Sequence, residues 1–289
     1  MAGSLKRRRR RGRTDWLTAW LLLPAGLLLI VFLAVPLCAT VWLSLSPNPL
    51  VHFSGAGLNN YAYLLSKRYY TDVTITTLRL TAETTGAALL FGYPAAMVLA
   101  DLTPRIAGAI SLAMTLPILA GPLVVVLGWM ILLSEGGPVL GPLLRADLIP
   151  RPHLLGSETG IVIGVLHFVM PFVVLSLANV LRAIPGPLIE AATELGASPL
   201  QRFLSVTLPL SLPGVLSATI IAVSLAVGSF VAPHYLGGPG DMTLTTLIAQ
   251  FMLATYNGQL AASVAVLLLV AMTVLILALS WAASRWGRA

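Results

Sequence analysis

The sequence predicts an all-α integral membrane protein with six transmembrane helices and both termini in the cytoplasm. Three observations carry that prediction. The first is composition: of 289 residues, 57% are hydrophobic and only 9% are charged, with mean hydropathy +0.92, whereas a soluble domain carries about 25% charged residues. The second is six apolar segments, at 17–45, 74–100, 107–133, 159–181, 211–232 and 260–283. Each is long enough, as a helix, to cross about 30 Å of hydrocarbon. The third is the placement of basic residues. With the N-terminus inside, the cytoplasmic pieces 1–16, 101–106, 182–210 and 284–289 hold twelve of the seventeen Lys and Arg, and the outer loops hold four (Lys67, Arg68, Arg145 and Arg151). That bias satisfies the positive-inside rule.

The N-terminal tail, 1–16, contains Lys6, Arg7 to Arg11 and Arg13. It is too charged to fold alone. The apolar segment after it is far longer than a signal-peptide core and carries no convincing small-residue cleavage site. The tail therefore reads as a cytoplasmic anchor, not as a signal n-region or a nucleic-acid arm. The net charge of +7 is concentrated at this end, so the expected surroundings are a lipid bilayer and not nucleic acid. Trp16 and Trp20 fall at the expected inner interface and Trp42 at the outer one. Cys38 is the single cysteine, which rules out an internal disulfide. The first helix and its outer loop make one unit, 17–73. Its loop, 46–73, is rich in Pro, Asn and Tyr and is expected to hold a short interfacial helix near Tyr61–Leu65.

The second span carries Arg79 and Glu83, four residues apart and so on one helix face. Charge within a span is costly and faces protein or water. The two side chains are either a pathway or gate pair, or an intrahelical ion pair at the membrane surface. Gly92-Tyr93-Pro94 near the inner end implies a kink accommodated by neighbouring helices. The third span contains Pro117, Gly121-Pro122 and Gly128-Trp129, which predict a bent helix, either lining a cavity or simply packing more loosely. The fourth opens Gly160-Ile161-Val162-Ile163-Gly164, a small-xxx-small spacing that permits close helix approach. His167 follows, with no second ligand at metal spacing. It is expected to be a hydrogen-bonded packing residue, and no metal site is predicted. The fifth span ends Gly228-Ser229-Phe230-Val231-Ala232-Pro233, and the sixth is a plain apolar helix closed by Trp281, Arg285 and Trp286.

Between the fourth and fifth spans lies a polar island. Leu188 to Leu195 has the pattern of a short amphipathic helix, with Leu188, Ala191, Ala192 and Leu195 on one face. Gly196 ends it, free of Cβ strain. Ser198-Pro199 reopens a helix with a Ser N-cap and a Pro at the first helical position. Leu200, Phe203 and Leu204 give that helix an apolar stripe, and Pro209 and Pro213 mark the return to the membrane. The whole is a compact knob projecting from the bilayer.

Glu190-Ala191-Ala192, Gly196 after three intervening residues, and the run ending Leu208-Pro209 resemble the EAA loop of ABC-importer permeases. The resemblance extends over about 17–283 and is strongest at 159–240. Gly92-Tyr93-Pro94, the Gly-rich stretch 134–144 and Leu236-Gly237-Gly238 are similar to the spermidine/putrescine-type branch. It implies the type I importer permease fold, with a core at 74–283, a coupling loop at 182–210 and a C-terminal tail at 284–289. It also implies that Glu190, Ala191, Ala192, Leu195, Gly196, Ser198, Pro199 and Phe203 engage a cytoplasmic ATPase dimer. Arg79, Glu83, Trp129 and Ser229 are the pathway candidates, by position and polarity. Six spans supply half of a translocation pathway, so a second permease, a paralogue in this branch, is implied, together with an extracytoplasmic solute-binding protein. Relatives of that branch move polyamines, opines, aminoethylphosphonate or related small polar solutes. Ser229 stands where an acid is common, which puts a strictly polyamine cargo in doubt.

The chain carries no Gly-x-x-x-x-Gly-Lys-Ser/Thr; its only lysines, Lys6 and Lys67, are each followed by Arg. ATP and Mg are therefore expected on the partner ATPase, and the chain is not expected to be an enzyme. A rhomboid-type intramembrane protease would need Gly-x-Ser-Gly, and Ser176, Ser217, Ser224 and Ser229 do not sit in that motif. His-Glu-x-x-His and Gly-x-Gly-Asp are also absent. A secondary transporter leaves the Glu-Ala-Ala knob unexplained and offers few deep ionisable groups to couple an ion.

Overall fold

The computed structural model describes residues 20, 23–24, 26–48, 57–146 and 154–286, with side chains as far as Trp281. The expectations placed on the tail 1–16, on Trp16, on Arg151, and on the side chains of Arg285 and Trp286 lie outside what is described. Among the described residues there are helices and turns and no strand.

Four helices are long and apolar enough to cross a membrane: α1 (Gly26–Leu45), α7 (Glu158–Arg182), α9 (Pro199–Gly228) and α12 (Gly258–Trp286). A fifth crossing arises if α4 (Pro104–Ala120) and α5 (Pro122–Leu133) count as one broken span. The second expected span lies within α3 (Arg68–Asp101), an unbroken 34-residue helix that runs through Pro94. α2 (Asn59–Ser66) is the short helix expected in the first outer loop. The remaining elements are short: α6 (Leu140–Arg145), α8 (Gly186–Glu194), α10 (Val231–Leu236) and α11 (Leu244–Leu253).

Two expectations about the spans are corrected. The segment 107–133 is not one helix: α4 and α5 meet at 98°. Gly121 makes that corner, with φ 81° and ψ 153°, a backbone region open essentially to glycine alone. Pro122 then starts α5 at a position where a missing N–H costs nothing. The expected fifth span, 211–232, is not one helix either: the helix is continuous from Pro199, stops at Gly228, and the chain resumes as the separate α10.

Proline also explains why α1 and α9 depart from regular geometry. Each widens into a five-residue π segment, Ile30–Ala34 and Phe203–Thr207, that ends two residues before a proline, Pro36 and Pro209. A proline ring crowds the carbonyl four residues back and offers it no N–H. The wider turn relieves that crowding, and the Leu208 N–H donates to the Phe203 carbonyl, five residues back.

The centre of the molecule is α7. Val169, Val173 and Leu177, four residues apart on one stripe, have no exposed surface. Lipid tails are as apolar as these side chains, so contact here depends on close packing more than on escape from water. Small residues allow it. A Cβ on Gly92 of α3 would sit 2.9 Å from Val173 Cγ1, and one on Gly214 of α9 would sit 2.8 Å from Val180 Cβ. The Gly160–Gly164 pair does the same for α10: a Cβ on Gly164 would lie 2.5 Å from Leu236 Cδ1. A second cluster joins Leu64, Val73, Leu247, Phe251 and Leu260 at the other end of α3.

The first helix is fastened through its C-terminus. The buried Ser44 carbonyl accepts from Asn60 Nδ2 at 2.8 Å and from Ser263 Oγ at 3.1 Å, and Tyr61 Oη donates to Ser44 Oγ at 2.7 Å. The rest of α1 offers an exposed apolar surface.

Candidate functional site: the projecting loop and the cavities of the core

The knob forms much as its residues dictate. Pro187 sits in the first turn of α8, and the helix runs to Glu194 with Leu195 as C-cap. Gly196 adopts φ 79°. The Ala197 N–H donates to the Ala192 carbonyl at 3.1 Å and the Gly196 N–H to the Thr193 carbonyl at 3.0 Å. Together these bonds close the left-handed Schellman motif. Two residues on, Ser198 and Gln201 form a reciprocal capping box: Ser198 Oγ accepts from the Gln201 N–H at 3.3 Å, and Gln201 Oε1 accepts from the Ser198 N–H at 2.9 Å. Arg202 Nη1 donates to Thr193 Oγ1 at 3.1 Å and so ties the two helices across the turn.

No residue from Gly186 to Thr207 is buried. Leu195 is 89% exposed, and Leu188, Leu200 and Leu204 are exposed beside it. Glu190 and Ala191 are exposed, Ala192 is half-buried, and Ser198 and Pro199 are exposed. Among the described residues these leucines are uncovered around a double cap, and exposed apolar patches of this kind mark interaction sites. Phe203 is the exception. It is half-buried, with its ring edge-on to Tyr93 at 5.6 Å between centroids.

The four pathway candidates do not converge. Arg79 Nη2 is ion-paired with Glu158 Oε1 in the first turn of α7, not with Glu83, which is exposed. This corrects the expected pairing with Glu83: the α3–α7 contact brings a carboxylate from another helix to Arg79. Trp129 lies edge-on to His167, 5.8 Å between centroids, on the wall of a cavity of about 340 Å³ that also includes Met114, Pro117 and Met170. Ser229 borders a different cavity of about 280 Å³, with Pro122, Val126, Phe168 and Ser224. Its carbonyl accepts from Thr245 Oγ1 at 2.8 Å. No carboxylate lines either cavity.

Sequence reasoning missed several participants. Glu158 follows Ser157, which accepts from the Gly160 N–H as an N-cap, so Ser-Glu before an apolar run was the available signal. The bond between Tyr93 Oη and Ser211 Oγ, 2.6 Å, joins residues 118 apart and left no local trace. Among the described residues no three His, Cys, Asp or Glu side chains are placed to hold a metal ion.

Comparison with known proteins adds four findings. The family profile of the binding-protein-dependent transport system inner membrane component matches residues 73–287. The spermidine/putrescine transport system permease protein PotB of Salmonella typhimurium is 29% identical over 229 residues, 79% of each chain. The molybdenum transport system permease protein ModB of Azotobacter vinelandii is 34% identical over 166 residues, 56% of this chain and 70% of that one. Among solved structures, a bacterial ABC transporter involved in the import of the acidic polysaccharide alginate superposes with TM-score 0.76 at 20% identity, over 96% of this chain and 99% of that one.

Proposed function

The chain belongs to the family of binding-protein-dependent transport system inner membrane components, and from that premise we propose how this permease subunit of an ABC importer works. It is a multi-pass inner membrane protein. In our reading it crosses the membrane six times, with α3 and the broken α4–α5 pair among the crossings and both termini in the cytoplasm. It supplies half of a translocation pathway, and a paralogous permease supplies the other half. A cytoplasmic ATPase dimer, which binds the ATP and Mg, docks on the knob through Glu190, Ala191, Ala192, Leu195, Gly196, Ser198, Pro199 and Phe203. A solute-binding protein delivers the cargo on the opposite side.

The observation that carries this reading is the exposed, doubly capped knob. Its apolar tip has no cover among the described residues, yet its two helices are tied to each other by capping and by the Arg202–Thr193 bond. A rigid tip transmits displacement, where a flexible one would absorb it.

The cargo we propose is a small polar solute of the polyamine, opine or phosphonate kind, moved past Trp129 and Ser229 by alternating access. The spermidine/putrescine names of relatives support the size class. The uncharged lining of both cavities supports a pathway that holds cargo weakly, leaving charge recognition to the binding protein.

The test is co-isolation combined with sidedness. Leu195→Cys in a Cys38→Ser background should react with a membrane-impermeant maleimide only after cells are opened. The tagged chain should also retain an ATPase that Glu190→Lys releases. Labelling of intact cells at position 195 would place the knob outside and end this reading.

A further inference from the structure

Tyr93 makes two contacts that bracket the widened turn of α9. Its ring lies edge-on to Phe203, the first π residue, at 5.6 Å, and its hydroxyl lies 2.6 Å from Ser211 Oγ, beyond the last one. Ser211 is fully buried, and its hydroxyl also lies 3.1 Å from the Leu208 carbonyl. Either hydroxyl can donate in the Tyr93–Ser211 pair, and the bond is lost when either one is removed. One side chain on α3 thus holds α9 on both sides of its irregular stretch.

The turn it brackets has few restraints of its own. Pro209 supplies no N–H, and the five π residues include no buried side chain that would fix them by packing. The knob side is stiff, because Arg202, next to Phe203, is bonded to Thr193 of α8. The core side is stiff as well, because Gly92, next to Tyr93, packs directly on Val173, and the Arg182 guanidinium donates to the Leu99 carbonyl at 2.7 Å. Two rigid bodies are therefore joined through a compliant segment with a brace across it.

The geometry points to Tyr93 as a positioning residue that locks the Phe203–Thr207 joint, so that knob and core move as one body. Without the brace the joint would flex, and motion imposed on the knob would be lost there. The importance of this lock for transport rests on the coupling reading above; the lock itself does not.

Distance distributions between spin labels test it. Labels at Glu194→Cys on the knob and Leu102→Cys at the end of α3, in a Cys38→Ser background, report on the joint in the intact permease complex. Without nucleotide, the unaltered Tyr93 should give one narrow distribution. Tyr93→Phe keeps the ring contact and loses the hydrogen bond, a bond worth a factor of about five in the locked-to-open ratio, and should broaden the distribution partly. Tyr93→Leu should broaden it further, and Ser211→Ala should match Tyr93→Phe, with no added effect when the two are combined. An equally narrow distribution in Tyr93→Leu overturns the proposal, as does full additivity of Tyr93→Phe and Ser211→Ala. A thermal midpoint lowered in Tyr93→Leu without broadening would assign the residue a packing role alone and also overturns it. Repeating the measurement with ADP and vanadate separates the two readings. Broadening by Tyr93→Leu, with no vanadate response in the unaltered complex, would leave the lock standing and remove the coupling.

Discussion

Substitution at Gly196 perturbs the knob through its backbone alone. The residue sits at φ 79°, and a Cβ built there meets nothing within 4 Å, so no clash contributes. A residue with a Cβ costs about 1–2 kcal/mol in the left-handed region, and a β-branched one reaches about 3 kcal/mol. Two capping hydrogen bonds oppose that cost, from Ala197 N–H and Gly196 N–H, each contributing about 1 kcal/mol. Gly196→Ala therefore keeps the turn mostly formed, and ATPase affinity should fall less than about twofold. Gly196→Val brings the balance from even to about 1 kcal/mol unfavourable, so the formed fraction drops to between about one half and one sixth. Apparent affinity should weaken by about two- to sixfold, because only the formed turn binds. Gly196→Asn should lie nearest to glycine, since asparagine tolerates this conformation. The assay is titration of reconstituted permease with its ATPase, read as hydrolysis rate. A valine variant equal to glycine, or an asparagine variant as weak as valine, would refute the reasoning.

Three further expectations concern the core. Gly121→Ala forces a side chain into a glycine-only conformation at the α4–α5 corner. It should cost about 1–3 kcal/mol, seen as a lower thermal midpoint by tryptophan fluorescence in detergent; an unchanged midpoint would mean the corner is not held. Gly164→Val drives a methyl into Leu236 Cδ1 and should destabilise by about 1–3 kcal/mol, whereas Gly228→Ala, in open space, should be close to silent. A double-mutant cycle on Arg79→Ala and Glu158→Ala should return less than about 1 kcal/mol of coupling, because the side chains are 51% and 33% exposed. Glu83→Gln should not alter that value, and a Glu83→Gln effect as large as that of Glu158→Ala would restore the intrahelical pairing.

What the sequence made legible was local. The knob is written in short-range signals: Gly196 for the left-handed cap, Ser198-Pro199 for the next start, and a leucine spacing that leaves one face uncovered. Each acts within four residues, and each appears in the structure. The helical class and the close approach at Gly160–Gly164 were legible for the same reason. The illegible features are those in which two distant segments decide together. Pro117, Gly121 and Pro122 announced a bend, but only the ψ of Gly121 turns it into a corner of 98°. Pro209 and Pro213 marked the return to the membrane, yet one helix runs through both, with a π segment immediately before Pro209. Arg79 had a carboxylate four residues away on its own helix, and the α3–α7 packing offered it another one 79 residues away. Periodicity cannot distinguish those two partners; the angle and offset between helices can.

The length of α3 has a mechanical consequence. Thirty-four unbroken residues make a rod of about 50 Å, well beyond the roughly 30 Å of hydrocarbon it would have to cross. It is gripped about a third of the way along by Glu158 and near its other end through Tyr93 and Leu99. A tilt of about 5° about the Arg79 grip would swing the Asp101 end by about 3 Å, since about 33 Å of helix lie between them. The ion pair at one grip and the Tyr93 and Leu99 contacts at the other thus sit on one continuous helix.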